Sequence, residues 1–552
     1  VKQPATRPIS QLIKVGDSTA GNYLAGRLAQ KNRDYGNASK FLGHALLSDP
    51  KNRNILRRAF LSSLAKGQFA KASDLAGRII NQDNNGSIAD LVLLVGEISE
   101  GKFNLADERL SKMPRNGLNT FVVPLMHAWT LAGQKKFSEA LEKLSSLNSI
   151  QGFAVLHNLH AGLIHDLSGN LEKAEERYRL ATGDGSRATL RVVEALGSLL
   201  ERRIKTEEAR EIYGKYLQEN PDSRVLSPAL SRIELGLPAP KLIRSAIDGA
   251  AEVLFNLAGT LTRENSAENA LIYGRLSLQM RPDYPIAQML VGRVLESLER
   301  PRDAIDVYDA VSRNSPLSWS ARLRKAENLE KLGQKEQAIE QLRLMVETES
   351  ARADVLVKLG DILRSNKRFG ESVEAYDMAI EHIGAIKERH WILLYSRGIA
   401  LERSKQWSRA EKDFLAALKL NPNQPYILNY LGYSWVDQGI NLDRAKTMIE
   451  RAVKLRPNDG YIVDSLGWAL FRIREFPVAV QHLERAVELR PQDPTINDHL
   501  GDAYWRVGRR NEARFQWHRS LSLGPEPDQA VRIRSKIKDG LMDASGLSEK
   551  DS

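Results

Sequence analysis

An alanine that returns in phase along nearly the whole chain is the feature that most limits the fold. It starts at Ala38, in the segment Tyr35-Gly-Asn-Ala-Ser-Lys-Phe-Leu-Gly-His-Ala45. It recurs at Ala72, Ala106, Ala140, Ala174, Ala209, Ala270, Ala304 and Ala338. Ser372 takes the next place, followed by Ala410, Ala445, Ala479 and Ala513. These 14 landmarks make 13 intervals; nine are 34 residues, two are 35, one is 38 and one is 61. Twelve residues before a landmark stand Gly26, Gly162, Gly197, Gly292, Gly360, Gly398, Gly467 and Gly501, with Ala128, Ala258 and Ala326 in the same slot elsewhere. Twelve residues after it stand Pro50, Pro221, Pro282, Pro316, Pro422, Pro457, Pro491 and Pro525.

A period near 34 predicts one helix-turn-helix unit per repeat, because no unit of that size buries its apolar face alone and stacking supplies the core. The small residues let two helices approach closely. The prolines stop the second helix and begin the turn to the next unit. Leu431, Leu466 and Leu500 are core knobs before the glycine, and Phe414 and Trp517 fill a bulky slot four residues after the landmark. The order leucine-glycine, alanine, aromatic, proline resembles the tetratricopeptide pattern. The resemblance implies an all-α, right-handed superhelical solenoid of about 14–15 repeats in two arrays.

The 61-residue interval divides the reading. Residues 1–18 read as an N-terminal tether and 19–222 as an array of six repeats. Residues 223–250 hold an atypical helix, about Val225 to Leu235, and the break Gly236-Leu-Pro-Ala-Pro240. An array of eight repeats follows over 251–525, with a polar capping helix, Asp528 to Leu541, in the tail 526–552.

Composition narrows the chemistry. The net charge of +11 is mild over 552 residues, and no block of five basic residues occurs, so nucleic acid is not expected as a partner. The absence of cysteine excludes disulfides and thiol chemistry. No apolar run is long enough to span a bilayer; membrane attachment is expected only through a lipid anchor upstream of Val1. No phosphate loop, zinc-protease motif, nucleophile elbow or dinucleotide fingerprint is present, so the chain is expected not to be an enzyme, and no cofactor is expected. The segment Gly183-Asp-Gly-Ser-Arg187 reads as a turn. His157, His160 and His165 are the densest histidines, but His160 and His165 project about 140° apart on a helix, so no metal site is expected. His165 reads as a core position and His160 as facing the groove.

The first helix of each pair should line a concave groove. In the last three repeats the groove candidates are Asn429, Tyr430 and Tyr433; Asp464, Ser465 and Trp468; and Asp498, His499, Asp502, Trp505 and Arg506. Rings supply contact area and polar groups pair with a ligand backbone, so these residues suit capture of a protein segment. Acidic residues dominate, against what a basic carboxylate-binding groove would show.

The motifs Asn429-Tyr-Leu-Gly-Tyr-Ser-Trp435, Asp464-Ser-Leu-Gly-Trp468, Asp498-His-Leu-Gly-Asp-Ala-Tyr-Trp505 and Glu512-Ala-Arg-Phe-Gln-Trp517, with Gly249-Ala-Ala-Glu-Val-Leu-Phe-Asn-Leu-Ala258, resemble a group of exported proteobacterial envelope proteins over about residues 245–525. That group includes outer-membrane lipoproteins that act as adaptors for a periplasmic carboxyl-terminal processing protease. The resemblance implies a periplasmic scaffold that binds such a protease or its substrates. The alternative is a scaffold for an envelope assembly or export complex handling polysaccharide, peptidoglycan, secretion or motor components.

Overall fold

A computed structural model describes residues 15–16, 18–82, 87–147, 152–183, 188–220, 223, 225–348 and 352–541. Most of the 1–18 tether, the 542–552 tail, Pro221 and residues 184–187 of the glycine-rich turn lie outside the described residues. The described chain holds thirty α-helices and no strand. Helices pack in consecutive pairs, from Thr19–Lys31 on Tyr35–Ser48 to Pro494–Arg506 on Arg510–Ser522. This is the helix-pair solenoid that the repeat implies.

All fourteen landmarks are buried to 1% exposure or less. The reason for the small residue twelve positions earlier is steric. A Cβ on Gly501 would lie 2.5 Å from the Trp517 ring, and one on Gly398 2.6 Å from Phe414. In each case the glycine makes room for the bulky residue four positions after the landmark. The pairs therefore close over one large side chain, which burial of roughly 25 cal/mol per Å² of apolar surface then stabilises.

The turn inside each pair obeys a second rule. Arg33, Gly67, Gly101, Lys135, Gly169, Ile204, Asn265, Glu299, Gly333, Lys367, Lys405, Arg474 and Gly508 all stand five residues before a landmark and all have positive φ. The remaining pair slips by one residue to Asn441, also at positive φ. Side chains with a Cβ resist this left-handed conformation, and β-branched ones most of all. Ile204 holds φ 62° while 89% exposed, so nothing in its packing offsets the strain. Ile204→Gly is expected to raise the stability of its unit by about 1 kcal/mol, read as a higher urea midpoint at unchanged slope.

The atypical helix forms over Ser227–Glu234, and the break after it is non-helical. Compact units, however, divide after Gln341, inside helix Lys335–Thr348, and not at 223–250. The cause is helix Ala246–Arg263. Ser245 caps it, accepting from Asp248 N at 3.1 Å while the Asp248 carboxylate accepts from Ser245 N at 3.1 Å. It pairs normally with Ala267–Met280, yet it also packs on Asn119–Gly133 and Ala154–Ser168, first helices of the preceding repeats. We call it the plug helix.

The plug is fixed by shape and charge. A Cβ on Gly249 would stand 2.2 Å from the ring of Trp129, so the glycine is the seat for that indole. Trp129 is fully buried and donates Nε1–H to His160 Nδ1 at 3.0 Å. His160 is thus fully covered, with burial pushing its pKa down to about 4, whereas His165 is only half-buried. The sequence-based assignment of His165 to the core and His160 to an open groove is therefore reversed, because the plug covers that face. Glu252, also fully buried, receives two guanidinium bonds from Arg191 and the Tyr284 hydroxyl at 2.5 Å.

Other contacts tie the same unit together across long stretches of chain. Lys66 Nζ lies 2.6 Å from Asp303 Oδ1, Arg300 3.6 Å from Asp34, and Arg33 3.7 Å from Glu268. Helix Ala267–Met280 touches Arg53–Lys66 and Ser87–Ser99. The first six repeats thus wrap the pairs that follow them, and their inner face is largely filled by their own chain.

The second unit, from Leu342 onward, is a run of stacked pairs with buried rings at Tyr376, Phe414, Trp435 and Trp517. The 38-residue interval is absorbed by Gly384, at φ 65°, and a 3-10 turn at Glu388–His390. The polar cap forms as helix Pro527–Asp539, burying Ala530 and Ile533 against the last pair and exposing Arg532, Arg534 and Lys538.

Candidate functional site

In the second unit the first helices of successive pairs pack on one another: Pro425–Gln438 on Gly460–Arg472, and the latter on Pro494–Arg506. The candidate residues lie on these three helices, and the structure brings them together as an interlocked ladder.

At its start Tyr430 is half-buried, donates to Glu402 at 3.0 Å, and tilts against Phe414 with ring centres 5.3 Å apart. Asn429 is half-buried, with its Oδ1 buried and unpaired. Tyr433 is half-buried, and burial, helped by the charges of Asp464 and Asp437, drives its phenol far up from the usual value. In the middle, the Asp464 carboxylate accepts from His499 Nδ1 at 3.0 and 3.1 Å. Trp468 is stacked between His499, at 4.1 Å, and Phe471, at 4.9 Å. Ser465 spends its hydroxyl on the Tyr461 carbonyl of its own helix.

At the end, Asp498 and Asp502 share Lys536 of the capping helix, which donates at 2.8 to 3.0 Å. Asp502 also accepts from Trp517 Nε1 at 2.9 Å. Trp505 is buried against Trp517, with Arg510 and Arg514 near its face and Gly540 against its edge. Arg506 is half-buried.

Asp464, Ser465, His499, Asp502 and Trp505 are thus buried, contrary to an open, fully exposed row: Asp464 and His499 in the joint between their repeats, Asp502 and Trp505 against the last pair and its cap, and Ser465 on its own helix. The reason is the tight stacking of first helices, which turns their polar residues toward the next repeat. Asn429, Tyr430, Tyr433, Trp468, Asp498 and Arg506 remain half-exposed, and among them Asn429, Tyr433 and Trp468 form a strip flanked by the exposed Asp437 and Arg472. Sequence reading missed Lys536 and Glu402, which complete the ladder. The alternation of Arg472 and Arg506, each five residues after the repeat glycine, was the available signal for the basic flank.

Burial alone would lower the His499 pKa, but the Asp464 carboxylate, with Asp498 and Asp502 nearby, holds it above 6.5. A histidine raised on folding stabilises fully below 6.5, and that contribution is lost as pH climbs through its folded value. Asp502, raised to about 6 by burial, changes charge below this window. The stability gap between the native chain and His499→Gln is therefore expected to be larger at about pH 7 than at about pH 9, by urea unfolding followed through tryptophan fluorescence. An equal gap would contradict the charged pair.

The described residues contain no group of three or more acidic or histidine side chains placed to hold a metal, and no helix long and apolar enough to cross a membrane.

No curated protein matches the chain. Among solved structures it is similar to MamA 41-end from Desulfovibrio magneticus RS-1, at 21% identity over 31% of this chain and 94% of that one, with a TM-score of 0.28. The Cut9–Hcn1 hetero-tetramer of APC/C gives 13% identity over 95% and 96%, with a TM-score of 0.38. YrrB, a TPR protein with an unusual peptide-binding site, gives 18% over 35% and 97%, with a TM-score of 0.28. Two family models, both described as tetratricopeptide repeat, match this chain, one over residues 391–424 and the other over 291–351 and 441–494. The chain therefore carries tetratricopeptide repeats over those residues, and they include the helix Gly460–Arg472 that bears Trp468.

Proposed function

We propose that the chain is a non-catalytic scaffold that binds other proteins, and that the half-exposed strip of Tyr433 and Trp468 with Asp437 and Arg472 is its contact surface in the second unit. The observation that carries this reading is two aromatic rings left half-open beside unlike charges on an otherwise locked face. Half-open rings with a polar rim are the composition of interface anchors. The test is affinity capture with in-cell cross-linking, comparing the native chain with a Tyr433→Ala, Arg472→Glu variant shown by circular dichroism to be folded. Loss of the captured proteins supports the reading, and an unchanged set of partners defeats it.

The partner class we favour is a carboxyl-terminal processing protease of the bacterial envelope or its substrates, with the chain held in the periplasm, at the outer membrane if a lipid anchor precedes Val1. The support is the run of Leu-Gly, Trp and Tyr motifs between residues 245 and 525. Capture that recovers no hydrolase from envelope fractions would remove this narrower proposal while leaving the scaffold in place.

A further inference from the structure

The filling of the first unit's inner face stops short of one end. Between helices Thr19–Lys31, Arg53–Lys66, Ser87–Ser99 and Ala267–Met280 a cavity of about 660 Å³ stays open. That size lies within the roughly 300–1,000 Å³ range of sites that bury a ligand. Its floor is aliphatic, from Leu28, Leu61, Ile88 and Ile272. Leu28 is 58% exposed and Leu61 38%, an unusual state for two leucines that face one hollow.

Its rim is basic. Arg27, Lys31 and Arg58 stand around the opening, against one acid, Glu268, which lies 3.7 Å from Arg33. Arg27 bonds to the Tyr23 hydroxyl at 3.1 Å and Arg58 to the Gln30 side-chain oxygen at 3.1 Å. Both partners are neutral, so they hold the guanidinium groups in place without cancelling their charge. The whole chain carries +11, which draws acidic ligands in the same sense.

We propose that this cavity is a second protein-binding site, independent of the strip at Tyr433 and Trp468, and that its ligand is an acidic peptide segment carrying a large aliphatic residue. The aliphatic side chain covers Leu28 and Leu61, and carboxylates on either side meet Arg27, Lys31 and Arg58. Neutral or basic segments gain only the apolar part.

The test uses the full chain and a fluorescein-labelled peptide of alternating glutamate and leucine, read by fluorescence anisotropy. Binding is expected to weaken about tenfold or more in Arg58→Glu and in Leu28→Glu, an exposed position whose change leaves the fold intact. Arg472→Glu, on the second unit, is expected to leave this affinity unchanged, which separates the cavity from the strip. A matched lysine–leucine peptide is expected to bind at least about tenfold more weakly than the acidic one. Equal binding of both peptides, or unchanged affinity in Leu28→Glu, overturns the proposal. So does sedimentation showing a dimer of the native chain that Leu28→Glu abolishes, since a second copy would then be the occupant.

Discussion

Glu252→Ala is expected to destabilise the first unit by about 3 kcal/mol, because it removes the main counter-charge of the buried Arg191 guanidinium and leaves it only Glu194, at 2.6 Å. Arg191 is 8% exposed and Glu252 is fully covered, so water cannot replace the lost partner. The Tyr284 hydroxyl loses its acceptor in the same step. Burial alone would raise the Glu252 pKa, yet Arg191 and Tyr284 hold it below 4.5. A depressed carboxylate gives its stability above 4.5, and that stability is lost as pH falls through the folded value. The loss in Glu252→Ala is therefore expected to be full at neutral pH and to shrink toward acid. The double variant Arg191→Met, Glu252→Met is expected to recover most of the loss, since a well-packed apolar pair can replace a buried ion pair at little cost. Chemical denaturation of the three proteins checks both statements. A single variant as stable as the native chain would mean that the plug helix does not sit on Arg191.

Trp129→Ala is the second large effect, expected at about 3–5 kcal/mol. The indole is fully buried, and its removal leaves a cavity that the surrounding helices cannot close. It also strips His160 Nδ1 of its donor. What makes the site diagnostic is Gly249, whose missing side chain is the space the indole occupies. Gly249→Leu alone is expected to be destabilising by roughly 1–3 kcal/mol through overpacking. Combined with Trp129→Ala, the same substitution is expected to restore stability, because the new side chain enters the vacated space. Such coupling is expected only for residues in contact. Additive losses would contradict the seat of the plug on Asn119–Gly133.

These two predictions mark where sequence and structure part. The landmark alanines, the glycines that admit Phe414 and Trp517, the helix pairs and the polar cap follow from local period and size, and all are legible in the chain. The plug is not, because pairing Gly249 with Trp129 depends on how far successive repeats curve, a sum of small rotations that no single repeat records. One trace was present: Glu252 stands as a lone acid inside the apolar run Gly249 to Ala258, the pattern of a buried charge that needs a partner. The candidate site was legible in position but not in exposure. Tyr433 and Trp468 stay half-open, while His499 turns into the joint between repeats and Asp502 against the last pair and its cap, because the polar residues of each first helix meet the next one: Asp464 meets His499, and Asp498 meets Lys536. Spacing places such residues on one face, and the neighbouring helix decides whether that face is open.

The central claim is that the first array folds around its own later helices. Its most direct test uses the cysteine-free chain with cysteines placed at Lys66 and Asp303, whose side chains pair at 2.6 Å across 237 residues. Treatment of dilute protein with a short bismaleimide, followed by denaturing electrophoresis and peptide mapping, is expected to give a fast-migrating intramolecular product linking the two positions. Modification of both cysteines without any cross-link between them would contradict the closed first unit.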